Sequence, residues 1–331
     1  MVLPAAIGFF ITSMIASLLS PFTGGQPAIA SGTATGGRVL GAVEQAYNVP
    51  EQTYAPFFPE HNLPKNQSLV ATPEKNATVS DLDIAASSSA AIDRDSGTVL
   101  WDQDSNAVRP IASITKLMTA FIFLSAKPDM DAIYQLQKED VRTGGKSYIY
   151  PGDQMTNKDL FYLTLVGSDN TAAVALARTL GLTEDEFVAR MNQQAKDFGL
   201  TNTKFQDISG LSNGNVSTAK EVLILAKKCL ATPQIRDTSI EENYEFSTVG
   251  GRDVKVVSTD QLLSVFPVDG INIIGGKTGH TDEAGYCFVG EFSNQDGRKI
   301  ISVVMGTDSD TSRFSQTKKL VKWIYSNYSW Q

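Results

Sequence analysis

Residues 109–124 read Arg-Pro-Ile-Ala-Ser-Ile-Thr-Lys-Leu-Met-Thr-Ala-Phe-Ile-Phe-Leu. Pro110 suits the first turn of a helix, where its missing N–H costs nothing. The residues after it are apolar on nearly every face, which predicts a helix buried all round. Into that run the chain sets Lys116, the one charged side chain between Arg109 and Lys127. Ser113 precedes it by three residues, a spacing that makes the two side chains neighbours on a helix. Burial disfavours the ammonium form and lowers a lysine pKa. A lysine neutral near pH 7 beside a hydroxyl is a suitable base for an activated nucleophile. Ser113 is therefore the candidate nucleophile and Lys116 its candidate base.

The Ser-x-x-Lys spacing alone decides nothing, because it recurs at Ser217/Lys220 and Ser315/Lys318. The second overlaps a helix cap at Thr218, and the third lies on the polar side of the last helix. Only Lys116 sits in apolar sequence, so only Lys116 has a reason to be neutral.

The totals narrow the chemistry. The chain has 331 residues, 42% hydrophobic and 19% charged, a globular composition with room for one large domain or two ordinary ones. A net charge of −8 argues against nucleic acid as a partner, which would need a basic footprint. The two histidines, His61 and His280, are too few for a His-rich zinc site. The general base is then His280, a carboxylate or a lysine, and no metal or cofactor is expected. Cys229 and Cys287 cannot make a disulfide framework and read as two buried thiols.

Residues 2–19 carry no charge, and none appears before Arg38. That run is long enough for a marginal membrane span and rather long for a signal peptide, with Ala28-Ile29-Ala30 a plausible cleavage site. Residues 1–30 are read as a signal peptide or N-terminal membrane anchor, implying export to the extracytoplasmic side. Residues 31–80 read as a linker punctuated by Pro50, Pro56, Pro59, Pro64 and Pro73, and His61 within it receives no chemical role. A single domain is expected over 81–331. It opens with strand, turn and strand over 85–101. Residues 130–200 read mainly helical, broken at Gly167-Ser168-Asp169-Asn170. Thr218-Ala-Lys-Glu221 reads as a capping box before a helix over 222–230. Beyond Pro233, residues 254–259, 272–276, 286–292 and 299–306 read as strands. Residues 312–328 read as an amphipathic helix with Phe314, Val321, Ile324 and Tyr325 on one stripe. The expected fold is α+β: an antiparallel sheet flanked by helices, plus a helical subdomain.

Two further patterns fail on context. Lys277-Thr278-Gly279 follows Gly275-Gly276, but a phosphate loop needs a glycine where Ile271 stands and a helix where 285–291 reads as strand. Gly210-Leu-Ser212-Asn-Gly214 matches a nucleophile elbow, yet 206–210 reads as loop where that motif needs a strand.

Taken in order, Ser-x-x-Lys at 113–116, Ser-Asp-Asn at 168–170 and Lys-Thr-Gly at 277–279 form the set found in class A β-lactamases and penicillin-binding proteins. From about residue 80 onward the chain resembles the serine-type D-alanyl-D-alanine carboxypeptidases among the low-molecular-mass penicillin-binding proteins. The stretch from Lys277 to Cys287 and the run Ile111–Thr119 are especially similar. The resemblance implies a β-lactamase/transpeptidase-like fold and action on the D-Ala–D-Ala end of peptidoglycan stem peptides, with acylation by β-lactams. It implies that Ser113 attacks the peptide carbonyl, Lys116 takes its proton and Ser168 relays a proton to the leaving amine. Asn170 would hold Lys116 or the substrate amide. Lys277 and Thr278, with Gly279 beside them and Arg313 in support, would grip the terminal carboxylate. The backbone N–H groups of Ser113 and His280 would form the oxyanion hole. Two departures keep alternatives in view. Asp169 stands where the carboxypeptidases often have glycine, as in a class A β-lactamase. That enzyme needs a water-activating glutamate, for which the loop over 205–212 offers only Asp207. D,D-endopeptidase action on cross-links and a catalytically silent wall-binding module are the other readings.

Overall fold

The computed structural model describes residues 71–79 and 81–331. The expectations for residues 1–30, and for most of the linker with its His61, lie outside the described residues. Among the described residues no helix is long and apolar enough to cross a membrane.

The centre is a five-stranded antiparallel sheet. From one edge to the other it runs Asn272–Thr281, Gly285–Ser293, Lys299–Thr307, Ser88–Asp93 and Val99–Gln103. Successive residues of a strand face opposite sides, and here both sides are buried. Cys287, Val289, Ile301, Val303 and Met305 point into one core, whereas Phe288, Phe292, Ile300 and Val304 point into another. This explains why the strands read as apolar runs with little alternation. The second core is closed by helix α7 (Asp310–Asn327), through Phe314, Leu320, Val321 and Ile324.

The first core is shared with a helical lobe: α1 (Lys116–Ser125), α2 (Asn157–Leu165), α3 (Asn170–Arg178), α4 (Glu184–Asp197), α5 (Ala219–Leu230) and α6 (Pro233–Ser239). Helix α1 runs through its centre, with Leu117, Met118, Ala120 and Phe123 fully buried. The arrangement is the α+β fold expected from sequence: an antiparallel sheet, helices against it, and a helical lobe.

Four local expectations need correction. Pro110 does not open a helix. Arg109–Pro110 pairs with Val216–Ser217, a 3₁₀ turn follows at Ala112–Thr115, and the α-helix begins at Lys116. The cause lies at Ala112, whose φ of +46° takes the chain off the helical path. Residues 130–200, read as mainly helical, hold a two-stranded ribbon as well, in which Ile133–Gln135 pairs with Gln154–Thr156. The capping box at 218–221 is half made: Thr218 Oγ1 accepts the Glu221 N–H at 3.1 Å, but the Glu221 carboxylate turns to the Asn202 N–H and the Thr203 hydroxyl. Last, Pro73–Lys75 pairs with Tyr328–Trp330, so a strand lies inside the stretch read as linker. Cys229 and Cys287 are free, buried thiols, and burial raises both pKa values, Cys287 to about 11.

Candidate active site

A 3₁₀ turn eclipses residues i and i+3. The turn at Ala112–Thr115 therefore brings Lys116 onto Ser113 as well as an α-helix would, and Lys116 Nζ lies 3.0 Å from Ser113 Oγ. The amine also donates to Asn170 Oδ1 at 2.6 Å and to the Ser209 carbonyl at 2.7 Å. Lys116 is fully buried. That burial pulls its pKa down to about 7 against the opposing fields of Asp169 and Asp207. A group whose pKa matches the working pH is well placed to take a proton and give it up again.

The second motif lies in the break between α2 and α3. Asp169 caps α3 by accepting the Ala172 N–H at 3.0 Å, and its other oxygen takes the Tyr148 N–H at 2.9 Å. That fixes the turn, and Ser168 sits in it at φ +55°. Ala112, next to Ser113, and Ser168 itself thus hold left-handed backbone where non-glycine residues are disfavoured. Asn170 begins α3; its amide donates to the Gly144 carbonyl at 2.8 Å, leaving Oδ1 to Lys116.

The third motif lies on the edge strand Asn272–Thr281. Lys277 is buried, and its Nζ donates to Ser168 Oγ at 2.9 Å and to the Thr278 carbonyl at 3.1 Å. Burial, reinforced by the like charges of Lys116 and Arg313, lowers its pKa, with Asp260 opposing. The Thr278 hydroxyl meets the Thr259 hydroxyl at 2.6 Å. Arg313 is buried too. It donates to the Gly279 carbonyl at 3.0 Å and pairs with Asp310, so it braces the strand from behind. His280 is exposed, and its ring stacks on Tyr286 with centroids 3.9 Å apart.

All three motifs meet at one cleft of about 430 Å³, lined among others by Ser113, Ser168, Asn170, Thr278, Gly279, His280 and Arg313. Lys116 and Lys277 lie beneath its floor, each presenting its amine nitrogen to one of the two serines. No carboxylate is among its lining residues.

Several roles escaped the sequence reading. Asp207 collects the N–H groups of Ser209, Gly210 and Ser212 on its carboxylate, and so ties the loop that delivers the Ser209 carbonyl to Lys116. Gly210, which matched the elbow pattern, is needed for close approach: a Cβ there would stand 2.1 Å from the Ala112 carbonyl oxygen. Gly279 is pressed likewise against the Ile111 carbonyl, at 2.8 Å from its virtual Cβ. Ser212 is no nucleophile, since its hydroxyl donates to Gln206 Oε1 within the same loop. Lys146, Tyr148 and Thr259 line the cleft with no signal in the local sequence. The two decoy lysines, Lys220 and Lys318, lie outside the cleft.

Residues 75–309 match the family model described as D-alanyl-D-alanine carboxypeptidase. The chain is 33% identical over 261 residues to D-alanyl-D-alanine carboxypeptidase DacF of Bacillus subtilis, covering 75% of this chain and 64% of that protein. It is 30% identical over 266 residues to a D-alanyl-D-alanine endopeptidase of Escherichia coli, covering 79% of this chain and 84% of that one. Among solved structures it is similar to the Streptomyces K15 DD-transpeptidase, with a TM-score of 0.70 and 28% identity over 75% of this chain and all of the other.

Proposed function

The chain belongs to the D-alanyl-D-alanine carboxypeptidase family, and from that premise we propose that it removes the terminal D-alanine of peptidoglycan stem peptides through an acyl-enzyme on Ser113. The observation that carries this is the pair of buried lysines, each hydrogen-bonded to a different serine of one cleft.

The chemistry rests on what each group can do. Lys116 as free amine accepts the Ser113 proton while Oγ bonds to the carbonyl carbon of the D-Ala–D-Ala amide. The Ser113 and His280 N–H groups receive the charge that develops on the carbonyl oxygen, where preorganised donors are worth several kcal/mol. Ser168, already bonded to Lys277, hands a proton to the leaving nitrogen as the C–N bond breaks and receives in its place the proton that Lys116 took from Ser113, and D-alanine departs. Water then splits the ester, restoring the Ser113 hydroxyl. Lys277 with Thr278 supplies charge and hydroxyl for the terminal carboxylate. Asn170 holds the Lys116 amine in place, and Gly279 lets the strand lie close. Arg313 acts through the strand and through its field. A β-lactam would enter by the same acylation. No cofactor has a part.

D,D-endopeptidase action on cross-links is a second reading, favoured by the Escherichia coli relative of that name. A class A β-lactamase route finds less support, because Asp207 is committed to loop N–H groups and the cleft lining holds no carboxylate. A silent wall-binding module has no use for a neutralised lysine beside a free hydroxyl. We place the protein on the extracytoplasmic side, with residues 1–30 as signal peptide or membrane anchor, 31–80 as linker except for the strand Pro73–Lys75, which belongs with the catalytic domain over 81–331.

Fluorescent penicillin tests the core of this: the wild type labels and Ser113→Ala does not. Label that persists in Ser113→Ala removes Ser113 as nucleophile, and no label in either protein favours the silent module. D-Ala release from a synthetic stem peptide, set against cross-linked dimer cleavage and nitrocefin turnover, separates the three hydrolytic activities.

A further inference from the structure

Behind the Lys-Thr-Gly strand lies a carboxyl group the chemistry above does not use. Asp260 is 6% exposed. One oxygen accepts the Leu262 N–H at 2.9 Å, whereas Oδ2 is buried and has no hydrogen-bond partner. An unsatisfied buried carboxylate oxygen is costly and calls for an explanation. Its position supplies one. Asp260 Oδ2 lies 3.2 Å from where a Cβ of Gly276 would be, directly beside Lys277. The preceding residue, Thr259, is hydrogen-bonded to Thr278. So residues 259–260 run along the strand segment read as the anchor for a substrate carboxylate.

The charges around it are few. Lys277 and Arg313 are the cations that act on Asp260. Lys277 in turn feels Lys116 and Arg313, and Arg313 feels Asp310, Cys287 and Tyr286. The direct hydrogen-bond partners of Lys277 Nζ are all uncharged. Asp260 is the anion that opposes the cations crowding it.

We infer that Asp260 is a positioning residue: it is the counter-charge of Lys277 in the free enzyme, and it takes up a proton from solvent when an anionic peptide terminus docks in the cleft. The inference rests on the proposed carboxylate anchor and deepens it. Two negative charges cannot share the Lys277–Arg313 pair without strong repulsion, so the buried one is neutralised. Burial has already raised the Asp260 pKa to about 7, which puts that proton within reach near neutrality. Binding and protonation are then linked, each favouring the other.

The test uses the full chain as Ser113→Ala, so that a D-Ala–D-Ala peptide binds without reacting. Its Kd is measured calorimetrically across the neutral range in two buffers of different ionisation enthalpy, for the free acid and for its C-terminal amide. For the acid, Kd should rise up to about tenfold per pH unit above neutrality, with net proton uptake on binding. In Ser113→Ala/Asp260→Asn, whose amide oxygen can still accept the Leu262 N–H, that step and its share of the uptake should vanish. Any remaining pH dependence belongs to Lys116 and Lys277. An unchanged step and unchanged uptake in the Asn variant, with its melting temperature preserved, overturn the role of Asp260 alone. Equal binding of acid and amide by Ser113→Ala overturns the anchor, and this inference with it. If Asp260→Asn unfolds, Asp260→Glu, which keeps the charge and should keep the step, decides the question.

Discussion

Lys116 can serve as a base because burial, which disfavours its ammonium, outweighs the carboxylate fields of Asp169 and Asp207 that favour it. With its pKa near 7, the rate of acylation by penicillin should climb about tenfold per pH unit below that point and level above it. A stopped-flow pH series checks this, and a flat profile across neutrality removes lysine as the base. Lys116→Arg keeps the length and a permanent charge, so acylation should fall by roughly 10²–10⁴ with the fold intact. Ser168→Ala removes the hydroxyl that Lys277 holds at 2.9 Å. It should slow acylation by about 10² or more, the usual worth of a positioned proton donor, and quench kinetics with a stem peptide would show it. At this scale the sequence was a good guide. A lone lysine in an apolar run is a local signal, and three ordered motifs sharpen it. Asp260 was illegible for the opposite reason: its neighbour Lys277 is seventeen residues away, and only the folded sheet edge brings them together.

The elements carry the site through close approach, and here the sequence misled in an instructive way. Pro110 suggested a helix start, but a helix running from Pro110 would have denied Ala112 its left-handed turn. Gly210 suggested an elbow around Ser212. In the fold its φ of +90° and its missing Cβ let the Asp207 loop lie flat on the Ala112–Ser113 backbone. A glycine needed for a contact with a turn so distant in the chain leaves no trace in its own spacing. Gly210→Ala should push that loop off the nucleophile turn, cutting penicillin acylation by about 10² through misplacement alone. Asp207→Ala should also lower the unfolding midpoint, because each buried N–H left without an acceptor costs about 1–3 kcal/mol. Calorimetry and penicillin labelling on both variants separate misplacement from loss of fold; a Gly210→Ala enzyme that acylates at the normal rate refutes the contact.

For the molecule as a whole, a buried lysine makes stability depend on pH. The sign comes from proton counting. In the unfolded chain Lys116 has its ordinary pKa of 10.5, and in the fold about 7. Between those values the unfolded state binds the extra proton, so stability rises with pH there and stops rising above the unfolded value. Below 7 both states are protonated and the penalty is present in full. The amine is buried between α1, α3 and the Ser209 loop, where the Asn170 and Ser209 oxygens partly offset the loss of water. Asp260 cannot imitate the trend. Its pKa is raised in the fold, so the stability it adds is present below its unfolded value of 3.8, drains away as pH rises through about 7, and is then exhausted. Urea midpoints taken at two pH values roughly two units apart, both above 7 and below 10, should therefore show Lys116 adding about 2.5 kcal/mol to the wild type, at about 1.4 kcal/mol per unit. In Lys116→Met the gain should shrink to what the remaining groups supply. A Lys116→Met series that keeps the full slope would mean that the amine is solvated in the native protein. The same result would also strip the nucleophile of its base, so one equilibrium measurement on the whole fold tests the chemistry of a single side chain.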